Sequence, residues 1–178
     1  ISGHIAIADK VTISGGSVSH TDMSLMNNAA IVIKRGQLNI SGCEITGLQG
    51  LFGRPGSGAN PTINISGGTI IRAQLSAIWD CDVIISGPVT LQANLVGSNF
   101  SILTNGTLTL QRVLVARASN HSDGTLPDDP YDAERLTKYQ YVEFASIPSY
   151  TITYAPNGGS GSMAAGTARE GEFFQLPE

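Results

Sequence analysis

The sequence predicts an all-β protein whose larger part is a parallel β-helix of about five coils. The first observation is a recurring apolar-x-Ile-Ser-Gly pattern, with its isoleucine at Ile13, Ile40, Ile65 and Ile85. The second is the spacing of these isoleucines, 20 to 27 positions, which lies in the range of solenoid coils. The third is composition, because only 13% of residues are charged and 21 are glycine, which suits short strands and many turns.

The unequal spacing of the copies separates this fold from its competitors. Helical repeats keep a nearly constant length because whole helices must pack, whereas a β-solenoid tolerates turns of different length between its strands. Leucine-rich repeats need a regular leucine ladder with Asn or Cys at a fixed offset, and the sequence has neither. The spacing therefore favours stacked short strands.

Each copy of the pattern predicts one strand that alternates between two faces and ends in a turn. The isoleucines are expected to form one inward column, and the residue before each, such as Asn39 or Asn64, to face outward. Leu108-Thr109-Leu110 is a weaker fifth copy. The Gly after Ser is expected to turn the chain at positive φ, and other corners are assigned to Gly36, Gly50, Gly97 and Gly106.

A second strand of each coil is predicted upstream of each copy, from pairs of apolar residues. These pairs are Ile5 and Ile7, Ile31 and Ile33, Leu51 and Phe52, Ile78 and Trp79, and Ile102 and Leu103. Trp79 is the only tryptophan. Because it lies in an apolar pair, packing in the core is expected, in preference to a sugar-stacking platform.

Three domains are expected: β-helix repeats over 1–118, a final coil and cap over 119–148, and a separate module over 149–178. A Gly- and Pro-rich excursion over 53–61 lengthens one corner as a loop, and a tolerated insertion is favoured over a binding loop. In the cap, Tyr139–Phe144 alternates as a strand whose aromatic residues close the core, and 132–136 can form one helical turn.

The last 30 residues contain Tyr150-Thr151-Ile152-Thr153-Tyr154, then Asn157-Gly158-Gly159, Glu170-Gly171-Glu172 and Leu176-Pro177-Glu178. This stretch resembles the first half of the Listeria–Bacteroides repeat, a small β-grasp-like module of internalins and other bacterial surface proteins. The later aromatic, Gly-rich half of that module is absent. From the residues alone, the stretch predicts two strands joined by a turn at Asn157-Gly158 and a loop, with a disordered linker as the alternative.

The repeat region resembles the right-handed β-helix superfamily, which includes pectate lyases, polygalacturonases and many adhesins. The resemblance implies a right-handed, single-stranded β-helix. Together with the C-terminal resemblance, it implies an extracellular or cell-surface location in a bacterium. No signal peptide is recognised, and the chain begins inside an Ile-Ser-Gly copy, which suggests a mature or excised fragment.

Charge and cysteine content exclude several classes of function. With 10 Lys and Arg against 14 Asp and Glu, and no basic patch interleaved with aromatics, a nucleic-acid partner is not expected. No apolar run is long enough for a transmembrane helix. Cys43 follows an Ile-Ser-Gly copy and Cys81 precedes one, so the two lie at different points of the coil and are expected to be buried and unpaired.

No catalytic residue, cofactor or metal site is predicted. Asp80 and Asp82 flank Cys81 and are expected to share one side of a strand, where two carboxylates can bind a cation or share a proton. A solvated strand end is the favoured alternative. Asp80, Asp82 and Arg54 are the candidate ligand contacts. The acids Asp123, Asp128, Asp129 and Asp132 are interpreted as solvated acids of the cap in preference to a calcium site.

The favoured function is a non-catalytic extracellular segment of a bacterial surface protein, acting as an adhesin or stalk that contacts a host or cell-wall glycan or protein. The alternatives are a fragment of a polysaccharide-active enzyme, similar to a pectate lyase or glycosidase, and a carbohydrate-binding module. Five coils span only about 24 Å at about 4.8 Å per strand, which is short for a groove holding several sugar rings.

Overall fold

The structure, a computed structural model, describes residues 5–20, 29–53, 58–94, 101–111, 114–125, 129–132, 135, 138–155, 160–170 and 173. The protein is all-β, and its described elements are strands β1 to β19. The chain forms two compact units, Ile1–Ala145 and Ser146–Glu178.

In the first unit the chain passes in turn through three sheets, so that successive strands belong to sheet I, sheet II and sheet III. Sheet I contains β1 (Ile5–Ile7), β4 (Ala29–Ile33), β7 (Gln49–Gly53), β10 (Ile78–Trp79) and β13 (Leu103–Thr104). Sheet II contains β2 (Val11–Ser14), β5 (Gln37–Ser41), β8 (Thr62–Ser66), β11 (Asp82–Ile85) and β14 (Leu108–Leu110).

Sheet III begins in the same way and ends differently. Its first four strands are β3 (Ser17–His20), β6 (Glu44–Gly47), β9 (Thr69–Ala73) and β12 (Val89–Gln92). It then continues with β17 (Tyr141–Ser146), β15 (Leu114–Ser119) and β16 (Asp129–Pro130). Among the described strands β1 to β14, the pairings with one another are parallel and join strands three apart in chain order.

The predicted isoleucine column is confirmed. Ile13 pairs in register with Ile40, Ile40 with Ile65, Ile65 with Ile85, and Ile85 with Leu110 of the weaker copy. Ile40, Ile65 and Ile85 are buried, whereas Ile13 is only partly buried because β2 is the terminal strand of sheet II. The apolar residue two positions earlier forms a second stacked column. Buried residues of all three sheets belong to one hydrophobic core.

The residue before each isoleucine faces outward, as expected. Thr12, Asn39 and Asn64 are in register, and Asn64 Nδ2 donates to Asn39 Oδ1 at 2.8 Å. A side-chain amide at this position can form a hydrogen bond with the amide on the neighbouring strand. Equivalent positions of neighbouring strands lie only about 4.8 Å apart. This short polar ladder covers the outer face of sheet II.

The turn after Ile-Ser-Gly confirms the glycine prediction in three copies and corrects it in the fourth. Gly15, Gly42 and Gly67 have φ values of 71°, 62° and 45°, a region that a side chain rarely allows. Gly87 is not among the positive-φ residues, but a Cβ there would lie 2.7 Å from the Gly67 nitrogen, so close approach of two turns requires glycine. Gly50 was wrongly assigned to a corner, because it lies inside β7.

Both cysteines are free and buried, as predicted. Cys43 lies between β5 and β6, and Cys81 lies between β10 and β11, so they belong to different corners. Burial raises the pKa of each thiol above its ordinary range, which keeps both in the unreactive protonated form.

The predicted strand of the cap is present, but its direction reverses the pattern of the sheet. β17 pairs antiparallel with β12, with Thr90 opposite Glu143 and Gln92 opposite Tyr141. It therefore occupies the place beside β12 that the next parallel strand, β15, would take if the earlier pattern continued. Tyr139 and Phe144 are buried in the core.

The second unit contains a hairpin. β18 (Ser149–Ile152) pairs antiparallel with β19 (Gly166–Arg169), which agrees with the prediction of two strands in this stretch. The predicted turn at Asn157-Gly158 and the closing Leu176-Pro177-Glu178 lie outside the described residues. The exposed Tyr150 is part of β18.

Candidate interaction surfaces

The outer face of sheet I carries an aromatic pair, Phe52 and Trp79, although the sequence predicts that Trp79 packs in the core. Ile78 pairs with Leu51 in the buried column, so alternation puts Trp79 on the opposite face, in register with Phe52 and Thr104. Both rings are partly buried, and they meet edge to face with centroids 6.3 Å apart. The prediction that Trp79 packs inward is therefore wrong, because β10 has only two residues and the inward position belongs to Ile78.

Asp80 and Asp82 do not share one side of a strand, which corrects the prediction. Asp80 follows β10 in a bend at φ 52°, and only Asp82 belongs to β11. The Asp80 carbonyl packs against Gly53, where a Cβ would come within 1.8 Å of that oxygen. Arg54 lies outside the described residues.

The carboxylate of Asp82 has a structural task. Its Oδ1 accepts hydrogen bonds from the backbone nitrogen of Thr107 at 3.0 Å and from the Thr107 hydroxyl at 2.9 Å. These bonds tie the corner before β11 to the turn before β14. Asp80 is thus the carboxyl residue that directly follows Trp79 in the chain, whereas one oxygen of Asp82 already accepts the two bonds from Thr107.

A charged band crosses the outer face of sheet III, and the sequence interpretation missed it. We define the charged band by the side chains Glu44, Arg72, Glu143 and Arg117, which lie on β6, β9, β17 and β15. The register of sheet III places Glu44, Ile70, Thr90 and Glu143 in one row across four neighbouring strands. Thr90 of β12 lies at the centre of the band.

Each half of the charged band holds one acid and one arginine. Arg72 forms an ion pair with Glu44, and Arg72 Nε also donates to Gln92 Oε1 at 2.8 Å. Arg117 Nη1 lies 3.9 Å from Glu143 Oε2, which also accepts a hydrogen bond from the Tyr141 hydroxyl at 2.8 Å. The side chains of Arg72 and Glu44 are 40% and 51% exposed, and those of Arg117 and Glu143 are 54% and 37% exposed.

The two glutamates of the charged band are too far apart for paired acid and base catalysis. Glu44 and Glu143 are separated by three strand-to-strand steps, and steps of about 4.8 Å give about 14 Å between these positions. Glycosidases hold their two carboxyl groups about 5 to 9.5 Å apart. The spacing of these two glutamates therefore does not match that of a glycosidase.

In the acidic cap segment, the structure shows the Asp123 carboxylate hydrogen-bonded within a local turn. Asp123 Oδ1 accepts from the backbone nitrogen of Thr125 at 3.0 Å and from its hydroxyl at 2.7 Å, and these bonds lower the pKa of Asp123. Asp128 and the side chain of Asp129 lie outside the described residues. Among the residues that are described, no group of three or more His, Cys, Asp or Glu side chains is placed to hold a metal ion.

A signal for the charged band exists in the sequence, although it is weak. Glu44, Arg72 and Gln92 each lie beside an apolar residue of sheet III, namely Ile45, Ile71 and Leu91, and alternation assigns them to the outer face. The strand order that brings these positions together with Glu143 and Arg117 depends on the insertion of β17, which no local pattern indicates.

Comparison with protein-family models, with curated proteins and with solved structures finds no match in any of the three. Within the described ranges, no helix is long and apolar enough to cross a membrane. The function is therefore inferred from the surfaces described above and from the sequence resemblances.

Proposed function

We propose that this chain is a non-catalytic extracellular segment of a bacterial surface protein, in which a right-handed parallel β-helix of five coils acts as an adhesin or stalk. The observation that carries the proposal is the continuous parallel register from β1 to β14 over one aliphatic core. Stacked strands of this kind make a scaffold whose outer faces remain available for contacts. The resemblance of 149–178 to the Listeria–Bacteroides repeat supports the surface location.

The contact we assign to this function is a glycan at the aromatic pair of sheet I. Phe52 and Trp79 are partly exposed, and Asp80 follows directly with a carboxylate that can accept sugar hydroxyls. Ligand sites commonly combine aromatic rings, which supply apolar contact area, with a few polar groups that fix the orientation of the ligand. Arg54 directly follows Gly53 in the sequence and is the remaining candidate contact.

A glycan array tests the contact directly. Wild-type protein should retain a defined set of glycans, and Trp79→Ala should lose that binding because the ring supplies most of the apolar contact. Tyr150→Ala is the matched control, since Tyr150 is an aromatic residue of the second unit and is 56% exposed. Equal binding by wild type and Trp79→Ala would contradict the assignment of this surface.

The alternative of a polysaccharide-active enzyme predicts product release from pectin, polygalacturonate or hyaluronan. We expect no release, because Glu44 and Glu143 are too far apart for catalysis and Asp82 holds Thr107. Product formation that Asp80→Asn or Asp82→Asn abolishes would establish the enzyme instead. Glycan binding without product release would favour an adhesin or a carbohydrate-binding module over an enzyme.

A further inference from the structure

The charged band has an internal order that is independent of the glycan contact proposed above. Within sheet III, five neighbouring strands follow in the order β6, β9, β12, β17 and β15, and β12 is the middle one of these five. Along this order the band carries Glu44, then Arg72, then the uncharged Thr90, then Glu143, then Arg117. The sequence of charges is negative, positive, neutral, negative, positive.

This order is complementary to its own reversal. Reversal gives positive, negative, neutral, positive, negative, so every charged position then faces the opposite sign. A two-fold axis that runs parallel to β12 and lies between two facing copies performs this reversal. Glu44 of one copy would then lie opposite the strand that carries Arg117 of the other, and Arg72 opposite the strand that carries Glu143. Arg72 pairs with Gln92, so it lies two residues along β9 from the row of Thr90 and Glu143, about 7 Å at about 3.3 Å per residue. The ion pair of Arg72 with Glu44, which belongs to that row, shows that its guanidinium reaches across this offset.

We propose that the charged band is a self-association surface, through which two copies of this chain form a symmetric dimer with the two-fold axis over Thr90. The interface is isologous, because each copy uses the same patch. Each cross-copy contact occurs twice. The dimer is therefore stabilised by four ion pairs between the copies. They add to the two pairs already present within each copy.

The alignment is specific, because neighbouring alignments bring like charges together. If one copy slides by one strand, either Glu44 faces Glu143 of the other copy or Arg72 faces Arg117, and the favourable pairs are lost. Like charges brought together in this way oppose association, so they select the centred alignment. The order of charges thus favours the centred alignment by attraction and disfavours the shifted alignments by repulsion.

Water exclusion strengthens the attraction within the ion pairs of a dimer, at the cost of removing the hydration of their charges. Exposed ion pairs contribute little to stability, since water and salt screen them. Both existing pairs are at least one-third exposed on every side chain. When a second copy covers the band, the effective dielectric constant falls and each attraction strengthens.

Sedimentation velocity of the full chain tests the proposal in low-salt buffer from micromolar to near-millimolar concentration. Wild type should show a reversible dimer that dissociates as salt is raised. Arg117→Glu places two acids opposite each other at both ends of the interface, and Glu44→Arg places two arginines there. Each variant alone should raise the dimer Kd about tenfold or more.

Mixing the two variants is the decisive experiment. In a mixed pair, Glu44 of one chain faces Arg117 of the other, and the new Glu faces the new Arg, so both end contacts are restored. An equimolar mixture should therefore dimerise more tightly than either variant alone. Any disturbance within one chain, such as two arginines beside each other at positions 44 and 72, is the same in the mixture and cannot produce this recovery.

Lys10→Glu and Asp9→Arg are the matched controls, because they make the same charge changes in the turn between β1 and β2, away from sheet III. They should leave the Kd of the dimer unchanged. A wild type that stays monomeric at near-millimolar concentration would overturn the proposal. So would a dimer that both single variants leave intact, or a mixture that associates no better than its parts.

Discussion

At the scale of single residues, the position of a side chain along a strand decides whether it is buried. Ile63 and Ile65 are fully buried, whereas Asn64 between them faces outward and donates a hydrogen bond to the side chain of Asn39. The same alternation makes the neighbours Ile78 and Trp79 differ. One-residue differences therefore have large energetic consequences.

Ile65→Asp should be severely destabilising, by about 4 kcal/mol or more, because the buried column offers no partner for a carboxylate. Ile13→Asp is the matched control in the same column and the same Ile-Ser-Gly context. Ile13 is only partly buried, so the smaller loss of stability is expected there. Urea denaturation measures both, and an Ile65→Asp midpoint close to that of wild type would refute the assigned column.

At the scale of elements, β17 determines where the parallel stacking of sheet III ends. Its antiparallel pairing with β12 places Phe144 opposite Val89, and Phe144 is buried in the core. The Tyr131 ring packs against Phe144 edge to face, with centroids 5.3 Å apart. An antiparallel strand at this point covers the edge of β12, which would otherwise be open to pairing with another strand.

Phe144→Ala should therefore lower the free energy of unfolding by about 3 to 5 kcal/mol, because it removes a buried ring from the contact with Tyr131. Tyr150→Ala, at an exposed aromatic position, should change it by no more than about 0.5 kcal/mol. Chemical denaturation followed by far-ultraviolet circular dichroism gives both values. Equal stability of the two variants would mean that β17 is not part of the core.

At the scale of the whole molecule, the chain consists of two compact units, Ile1–Ala145 and Ser146–Glu178. The first has one core shared by its three sheets. The second contains the hairpin of β18 and β19, and a two-stranded hairpin alone is at best marginally stable in water. The two units are thus expected to differ strongly in stability.

Limited proteolysis should cleave near Ser149 and leave the first unit folded with an unchanged melting temperature. The reason is that the core residues that stabilise the first unit all precede the cleavage point. Mass spectrometry locates the cut, and calorimetry compares the trimmed and intact proteins. A C-terminal segment that resists protease, and whose removal unfolds the rest, would show that 149–178 is an integral part of one domain.

Local sequence patterns were sufficient to predict one part of the structure. Alternation over a few residues is sufficient to predict the strands, the column of Ile40, Ile65 and Ile85, and the outward place of Asn64. The turn chemistry of glycine predicts the positive φ of Gly42. These features were predictable because each depends on the residues within one strand and the turn that follows it.

The remaining features depend on which strands become neighbours, and they emerge only in the folded chain. Whether Ile78 or Trp79 points inward follows from the register with Leu51, since two adjacent apolar residues are equivalent in the sequence alone. The charged band joins Glu44 to Glu143 and Arg117 because β17 enters sheet III in the antiparallel direction. Which of two distant segments pairs with a sheet edge depends on the relative stability of the whole strand pairings. A short stretch of sequence is therefore not sufficient to predict it.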